Sequence, residues 1–266
     1  MATNAEVSPA RGVSGGRVLE RVFATVRHNP APTIGLAFLF GAVPGLLITL
    51  MIRQVQTPEL ILDPDFRMGF LALTFLSVVL GLIISALTQA ALTRATVAES
   101  EGRKASMGES IAAGVRVLLP LIILSILLAV GVMIGFVFLI VPGVILYCMW
   151  AVAVPALVEE RRGVFGSFGR SRELTRGARW KVFGILLVVL VVYWLLSAAS
   201  GIFMVNSTDF TNPQAAFPMP IGFIIVSLIV GTLINLFWGM VLASLYVELR
   251  DWKDGPATQN LEQIFA

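Results

Sequence analysis

The sequence predicts an all-α, polytopic integral membrane protein with six transmembrane helices. Of its 266 residues, 57% are hydrophobic and only 13% are charged, whereas soluble domains carry about 25% charged residues. The mean hydropathy is +0.89. Uncharged apolar runs long enough to cross a bilayer recur along the chain, and the basic residues are concentrated between alternate runs. So few charges cannot cover a water-facing surface, and we therefore treat the bilayer as the solvent.

The lengths of the uncharged runs define the predicted spans. A hydrocarbon core of roughly 30 Å needs about 20 residues of helix, and the run between Arg116 and Glu159 contains 42 uncharged residues. We interpret this run as a hairpin that reverses at Val141-Pro142-Gly143, because proline interrupts helical hydrogen bonds and glycine tolerates a turn. The predicted spans are residues 33–52, 68–92, 117–137, 140–158, 182–204 and 221–246.

The distribution of lysine and arginine predicts the orientation. Seventeen of the 19 basic residues lie at one end of the predicted spans, and only Arg53 and Arg67 lie at the other. Because basic loops stay in the cytoplasm, both termini are predicted to be cytoplasmic. The predicted organisation is a disordered tail (1–13), an interfacial amphipathic helix (14–32), a membrane domain (33–247) and a cytoplasmic tail (248–266).

An internal repeat connects the two largest cytoplasmic loops. Residues 95–110 and 156–171 align without a gap and share seven identities in 16 positions, so that Glu99 aligns with Glu160 and Ser106 with Ser167. A fainter third copy begins at Ser14 and is either a true repeat or a low-complexity coincidence. The predicted unit is a short cytoplasmic interfacial helix followed by a transmembrane hairpin, used three times in parallel.

The predicted interfacial helices are amphipathic. In the first, apolar residues from Val18 to Val26 recur at helical spacing, and this face is expected to lie on the membrane. The second is predicted to start at Ser167 as its N-cap and to continue into the fifth span. Along it Arg172, Arg176 and Arg179 form a basic stripe. Such a stripe is typical of helices that bind anionic lipid headgroups, with about 1 kcal/mol per charge near the surface.

One segment carries a resemblance to a known family. The segment 155–181 resembles the bacterial membrane domain named after glycerophosphoryl diester phosphodiesterases, whose signature is a Pro and Glu near a span end followed by R-S-x-x-L-T-x-G-x-x-W. The matching residues are Glu160, Arg170, Ser171, Leu174, Thr175, Gly177 and Trp180. The resemblance implies a bacterial inner-membrane protein. It does not imply the phosphodiesterase chemistry, which needs paired histidines and metal-binding carboxylates, because this chain has a single histidine.

The sequence indicates no catalytic chemistry. His28 ends the first amphipathic segment, where a solvated histidine is expected, and Cys148 lies within an apolar run. No phosphate-binding loop, dinucleotide fingerprint or nucleophile elbow is present. The positive-inside distribution accounts for the basic composition without nucleic acid. We therefore expect a protein that is not an enzyme and that has neither a metal nor a cofactor, with membrane lipids as its partners.

Two functional interpretations remain open. A structural or regulatory protein that contacts anionic lipid needs only the basic cytoplasmic helices. A transporter or channel for a neutral or lipid-like substrate needs a polar path through the bundle. The most polar residues within the spans could line such a path or could form interhelical hydrogen bonds. They are Ser85, Thr88, Gln89 and Asn235.

Overall fold

The computed structural model describes residues 12–46, 49, 64–207 and 221–255, and these are helical and joined by turns, with no strand among them. The helices are α1 (Gly15–His28), α2 (Pro30–Ala37, continued by a π-helical turn, Phe38–Ala42, to residue 46), α3 (Pro64–Ser100), α4 (Met107–Arg116), α5 (Leu118–Phe138), α6 (Ile140–Trp150), α7 (Ala153–Glu160), α8 (Gly163–Thr175), α9 (Arg179–Ser207) and α10 (Ile221–Asp254). Several predicted features fall outside the described residues: most of the N-terminal tail, the end of the first span and residues 256–266. The same holds for the acidic loop residues Glu59, Asp63 and Asp209, which the predicted orientation places outside the cell.

Apolar helices of membrane-spanning length make up most of the structure. Within the described residues, five stretches are long and apolar enough to cross a membrane, and a shorter apolar helix, Thr33–Leu46, precedes them. Large apolar side chains cover their outer surface; Val137, for example, is 79% exposed. Such a surface is stable in contact with lipid but not with water. The prediction of an all-α fold with apolar helices of membrane-spanning length is thus confirmed for the described residues.

The hairpin in the long uncharged run reverses at a different residue from the one predicted. Leu139 is the single extended residue between α5 and α6 (φ −169°, ψ 151°), so the reversal does not lie at 141–143. Pro142 instead occupies the first turn of α6, where its missing N–H removes no helical hydrogen bond. A Cβ atom added at Gly135 would lie 2.9 Å from the Cα of Gly143, so glycine is what lets α5 and α6 meet here.

The apolar stretch Ile140–Glu160, which corresponds to the fourth predicted span, is broken in its middle. α6 ends at Trp150 and α7 begins at Ala153, because Pro155 cannot donate to the carbonyl of Ala151 and its ring clashes with that group. The break leaves the carbonyl of Met149 available to another helix. It accepts the hydroxyl of Ser171 at 2.9 Å and that of Thr175 at 3.4 Å, and both donors lie on α8.

The predicted continuous helix from Ser167 into the fifth span is wrong. α8 begins at Gly163, so Ser167 lies inside it and donates to the carbonyl of Gly163 at 2.7 Å. The helix ends at Thr175, and Gly177 adopts a φ of +90° before α9 starts at Arg179. This left-handed conformation strains any residue with a Cβ atom. At the aligned position of the first copy, by contrast, Ser106 is the N-cap of α4 and accepts the backbone N–H of Glu109.

The apolar face of α1 is covered by protein rather than by the membrane. Val18 and Val22 are buried in the main hydrophobic cluster, which also contains residues of α9 and α10. The expectation that this face lies on lipid was therefore wrong. Its helical spacing is the same for a face that packs on lipid and for one that packs on other helices. Phe23, at the edge of the same predicted face, is 66% exposed, so the correction applies to the part of the face that carries Val18 and Val22.

We predict that Gly135→Ala will destabilise the protein by about 1–3 kcal/mol, because the added methyl group overpacks the contact with α6. Thermal unfolding of the purified protein in detergent measures this loss. The matched control is Gly184→Ala on α9, where an added Cβ meets no atom within 4 Å. The control should be neutral or slightly stabilising, since alanine favours helix. Equal melting temperatures for Gly135→Ala and the wild type would contradict the described packing.

Candidate functional site

Most of the ion pairs of the described residues lie at one end of the bundle, which we call the charged end. There α3, α7 and α10 finish, and there the amphipathic helices α1, α4 and α8 lie across them. Each of the three spanning segments ends close to a glutamate, namely Glu99, Glu160 and Glu248. Each of these glutamates bonds a side chain of α1 or α8. The charged end is therefore built by fixing the amphipathic helices to the ends of the spanning ones.

Arg170 on α8 is the most deeply buried cation of this end, with 7% of it exposed. Its Nε donates to Glu160 at 2.8 Å, and its guanidinium also bonds Asp254 at the end of α10. The hydroxyl of Tyr246 donates to the same oxygen of Glu160 at 3.0 Å. Glu173, one turn along α8, adds a third carboxylate at 3.2 Å. Arg170 thereby ties α7, α8 and α10 together.

Burial and bonding act in opposite directions on the pKa of Arg170. Desolvation lowers the pKa, but the hydrogen bonds and the charges of Glu160 and Asp254 more than compensate, so that the pKa lies above its ordinary value. The pKa of Arg17 is also raised, chiefly by its hydrogen bond to Glu248. Both guanidinium groups are therefore charged at every pH at which the protein is folded.

α1 is fixed along one face by a series of polar contacts. Arg17 donates to Glu248, and Arg21 lies 3.5 Å from Asp251, both on α10. Further along the same face, Thr25 donates to Glu99 at 3.1 Å, and His28 lies 3.0 Å from the same carboxylate. α1 thus bridges the ends of α10 and α3. Pairing with these cations also explains why α10 continues as a helix to Asp254, beyond the predicted end of the sixth span.

α4 is held by a separate network around Arg94 of α3. Arg94 donates to Glu109 of α4 at 2.7 Å and to Glu159 of α7 at 3.3 Å. These three side chains line a cavity of about 260 Å³, together with Arg116 and Arg161. The cavity contains both signs of charge, three arginines and two glutamates. Arg94 pairs with both glutamates, and the buried Oε1 of Glu159 has no hydrogen-bond partner.

An apolar groove runs between α6 and α9 next to the charged end. It has a volume of about 470 Å³ and is lined by Ile140, Val141, Val144, Ile145 and Cys148 of α6 and by Arg179, Trp180 and Phe183 of α9. The Nε of Arg179 is closed off from solvent and has no hydrogen-bond partner. Trp180 is 85% exposed, and its ring meets that of Phe183 edge-on at 6.0 Å. The groove therefore combines an apolar floor with one unsatisfied cationic donor at its rim.

The three predicted headgroup-binding arginines lie on three different elements. Arg172 is on α8, Arg176 is in the turn that follows, and Arg179 opens α9. The predicted single-helix stripe is therefore wrong, because the left-handed turn at Gly177 separates α8 from α9. Arg172 and Arg176 are exposed, whereas Arg179 is half-buried and lines the groove. Glu173, the acidic residue next to Arg172 in the sequence, forms an ion pair with Arg170.

The residues of the family motif have structural roles around α8. Arg170, Ser171, Leu174 and Thr175 form its buried face. That face bonds Glu160 through Arg170 and the helix break at Met149 through the two hydroxyls. Gly177 forms the turn between α8 and α9, and Trp180 lines the apolar groove. The motif thus describes how α8 is seated against the bundle.

The groove and the acidic partners were not identified from the sequence. Glu248, Asp251 and Asp254 recur every three residues past the last apolar run, opposite a basic helix at the other end of the chain, and this spacing was an available signal. The apolar groove residues have no such signal, because they are indistinguishable from any lipid-facing residue of a span.

Comparison with known families places most of these elements in one unit. A model described as a domain of unknown function, DUF7847, matches residues 104–249. The chain belongs to the DUF7847 family. The DUF7847 match runs from just before α4 into the last turns of α10 and includes the groove, Glu160, Arg170 and Tyr246. No solved structure matches this chain.

We predict that Arg170→Met will destabilise the protein by about 3–5 kcal/mol, because the largely buried Glu160 would lose its buried cation and keep only Arg162, which lies 2.8 Å away and is 55% exposed. Chemical or thermal unfolding in detergent measures the change. Arg172→Met, two residues along the same helix but exposed, is the control and should unfold with the wild type. Similar unfolding curves for the two variants would show that Arg170 does not hold the charged end together.

Proposed function

We propose that this protein is a non-enzymatic structural or regulatory membrane protein that binds an anionic lipid in the groove between α6 and α9. The observation that carries the proposal is the position of Arg179, whose Nε is buried without a partner at the rim of an apolar groove. A buried donor without an acceptor is costly. A phosphate oxygen would satisfy it with a charge-assisted hydrogen bond.

The shape of the groove matches the two parts of a phospholipid. The headgroup would meet Arg179 and Trp180, and tryptophan is typical of the interfacial layer of a bilayer. From Cys148 to Ile140, α6 offers about 12 Å of apolar helix surface at 1.5 Å per residue for an acyl chain. The exposed Arg172 and Arg176 lie near the same turn and add positive charge around the headgroup.

We predict that Arg179→Gln will lower the amount of phosphatidylglycerol retained by the purified protein at least about tenfold, since hydrogen bonds to charged groups contribute about 1.5–3 kcal/mol. Native mass spectrometry of the protein with bound lipid measures retention. Arg172→Gln removes the same charge from an exposed position and is the matched control. Its effect should not exceed about fivefold, the equivalent of roughly 1 kcal/mol for a charge near the surface.

Equal losses in the two variants would leave only a general surface attraction and would contradict binding in the groove. A second comparison identifies the source of the anion. Soluble inorganic phosphate should not displace phosphatidylglycerol, because it cannot occupy the apolar floor. Displacement by phosphate alone would reduce the site to a simple anion site at Arg179.

We also propose that the charged end faces the cytoplasm of a bacterial inner membrane. The support is the distribution along the sequence, in which 17 of the 19 basic residues fall on the predicted cytoplasmic side of the spans. In a variant without Cys148, the one cysteine of the chain, a cysteine at Arg172 should be protected from an impermeant thiol reagent added to intact cells. A cysteine at Asp209 should react. The reverse pattern would overturn the orientation.

We also propose that the chain contains three parallel repeat units. The support is the alignment of residues 95–110 with 156–171 and one correspondence among the contacts. When Ser14, Ser106 and Ser167 are aligned, the residues three positions further along are Arg17, Glu109 and Arg170. All three side chains form an ion pair with the end of a membrane-spanning segment.

In the first and third of these units the arrangement is the same. Arg17 bonds Glu248 and Arg170 bonds Glu160, whereas in the middle unit the signs are exchanged and Glu109 bonds Arg94. The contact between Arg17 and Glu248 joins the two ends of the chain, so the N-terminal helix would complete the unit that the last span begins. We also propose, on the motif residues of segment 155–181 alone, that this chain is related to the phosphodiesterase membrane-domain family.

A second candidate function is the passage of a neutral, lipid-soluble substrate. One observation favours it: a cavity of about 540 Å³ lies among α3, α9 and α10, within the spanning part of the bundle, and includes Ser85 and Asn235 in its lining. The other two polar residues that the sequence singled out, Thr88 and Gln89, do not line it. Thr88 donates to the carbonyl of Ile84 in its own helix.

A further inference from the structure

We infer that the cavity among α3, α9 and α10 is a binding site for an uncharged, lipid-soluble ligand that carries hydroxyl or carbonyl oxygens, such as a diacylglycerol. This inference names the class of ligand for the second proposed function, the passage of a neutral substrate. Only the transport step rests on that proposed function, because a ligand can bind in the cavity without crossing the membrane. It rests on the composition, the depth and the opening of the cavity.

The lining is mostly apolar surface that carries several polar groups and no charge. Six of its residues bear a hydroxyl or an amide: Ser85, Tyr193, Ser197, Ser200, Ser227 and Asn235. They are distributed over all three helices, so no single helix could place them together. The hydroxyl oxygen of Ser227 is buried and has no partner. Hydroxyl and amide groups can donate to and accept from a ligand oxygen.

The absence of charge from this lining selects against ions. A charged group at this depth would need a countercharge, since an unpaired charge in the hydrocarbon region is strongly unfavourable. No lysine, arginine, aspartate or glutamate lines the cavity among the described residues. A ligand oxygen in a hydroxyl or ester, by contrast, could exchange its hydrogen bonds with water for bonds to these side chains.

The cavity lies too deep for water-soluble ligands to reach it from the charged end. Tyr193 is 14 residues beyond Arg179 on α9, which corresponds to about 21 Å along the helix. Leu190 and Tyr193 are 42% and 43% exposed on the outer surface of the bundle. The opening therefore faces lipid, and a ligand would enter laterally from the bilayer. A volume of about 540 Å³ falls within the range of small-molecule sites.

Gly231 offers a way to fill the cavity without disturbing its walls. It lines the cavity, and a Cβ atom added there meets no atom within 4 Å. Gly184 on α9 is equally open to an added Cβ but lies outside the cavity. Gly231→Leu and Gly184→Leu are thus matched variants, with the same change in helix propensity and the same added volume.

The test uses the full-length protein in phosphatidylcholine nanodiscs that contain a photoreactive diacylglycerol. After irradiation, mass spectrometry should locate the label on segments 190–200 and 227–238, and unlabelled diacylglycerol in excess should abolish this labelling. Gly231→Leu should lose the competable labelling, whereas Gly184→Leu should retain it. Asn235→Leu should weaken the competition by roughly threefold to tenfold, as expected for the loss of a hydrogen bond between neutral groups.

Three results would overturn the inference. Labelling that excess diacylglycerol does not reduce would mark an ordinary lipid-facing surface. Equal competition by phosphatidic acid, which has the same acyl chains but a charged headgroup, would show that the cavity does not select neutral ligands. Equal labelling of Gly231→Leu and Gly184→Leu would place the ligand elsewhere. If instead competable labelling is found but the protein does not accelerate the transfer of diacylglycerol between leaflets over the rate in protein-free liposomes, the site stands and only the transport function fails.

Discussion

The charged end depends on one buried cation. Arg170 is 7% exposed, and a buried guanidinium is tolerated only when carboxylates surround it. That requirement fixes three helices at once, because Glu160 ends α7 and Asp254 ends α10. α10 must therefore continue as a helix beyond the membrane-spanning part of its sequence, and α8 must lie against the bundle rather than in water.

The position of α8, which Arg170 fixes, also determines where the candidate lipid site lies. With Arg170 fixed, the hydroxyls of Ser171 and Thr175 reach the carbonyl of Met149, which Pro155 leaves available by breaking the membrane segment. α8 therefore ends beside α6, and the turn at Gly177 starts α9 at this point. Arg179 is in this way brought to the rim of the groove by contacts that lie several residues before it.

The sequence was informative about length and polarity but not about which surfaces meet. Uncharged run lengths identified five stretches of membrane-spanning length and the reversal between α5 and α6, since a bilayer imposes one length on every helix that crosses it. Amphipathic spacing could not show that Val18 and Val22 of α1 pack on protein, because lipid and protein demand the same pattern. The pairing of Arg17 with Glu248 joins residues at opposite ends of the chain, and no local pattern encodes it. Tyr193, Ser197 and Ser200 recur on one face of α9, yet hydroxyls in spans commonly bond their own helix, as Thr88 does.

α9 links two environments that suit different ligands. At its first residue, near the charged end, the guanidinium of Arg179 can keep its charge because headgroups and water are close, and its free donor favours an anion. About 21 Å further along, the helix contributes only neutral hydroxyls to the cavity shared with α3 and α10. A ligand with a charged headgroup would have to leave its hydration shell to reach that depth, whereas a neutral lipid would exchange one set of hydrogen bonds for another. If both proposed sites bind lipid, the loss of charge along this single helix would separate an anionic lipid at the interface from a neutral lipid in the interior.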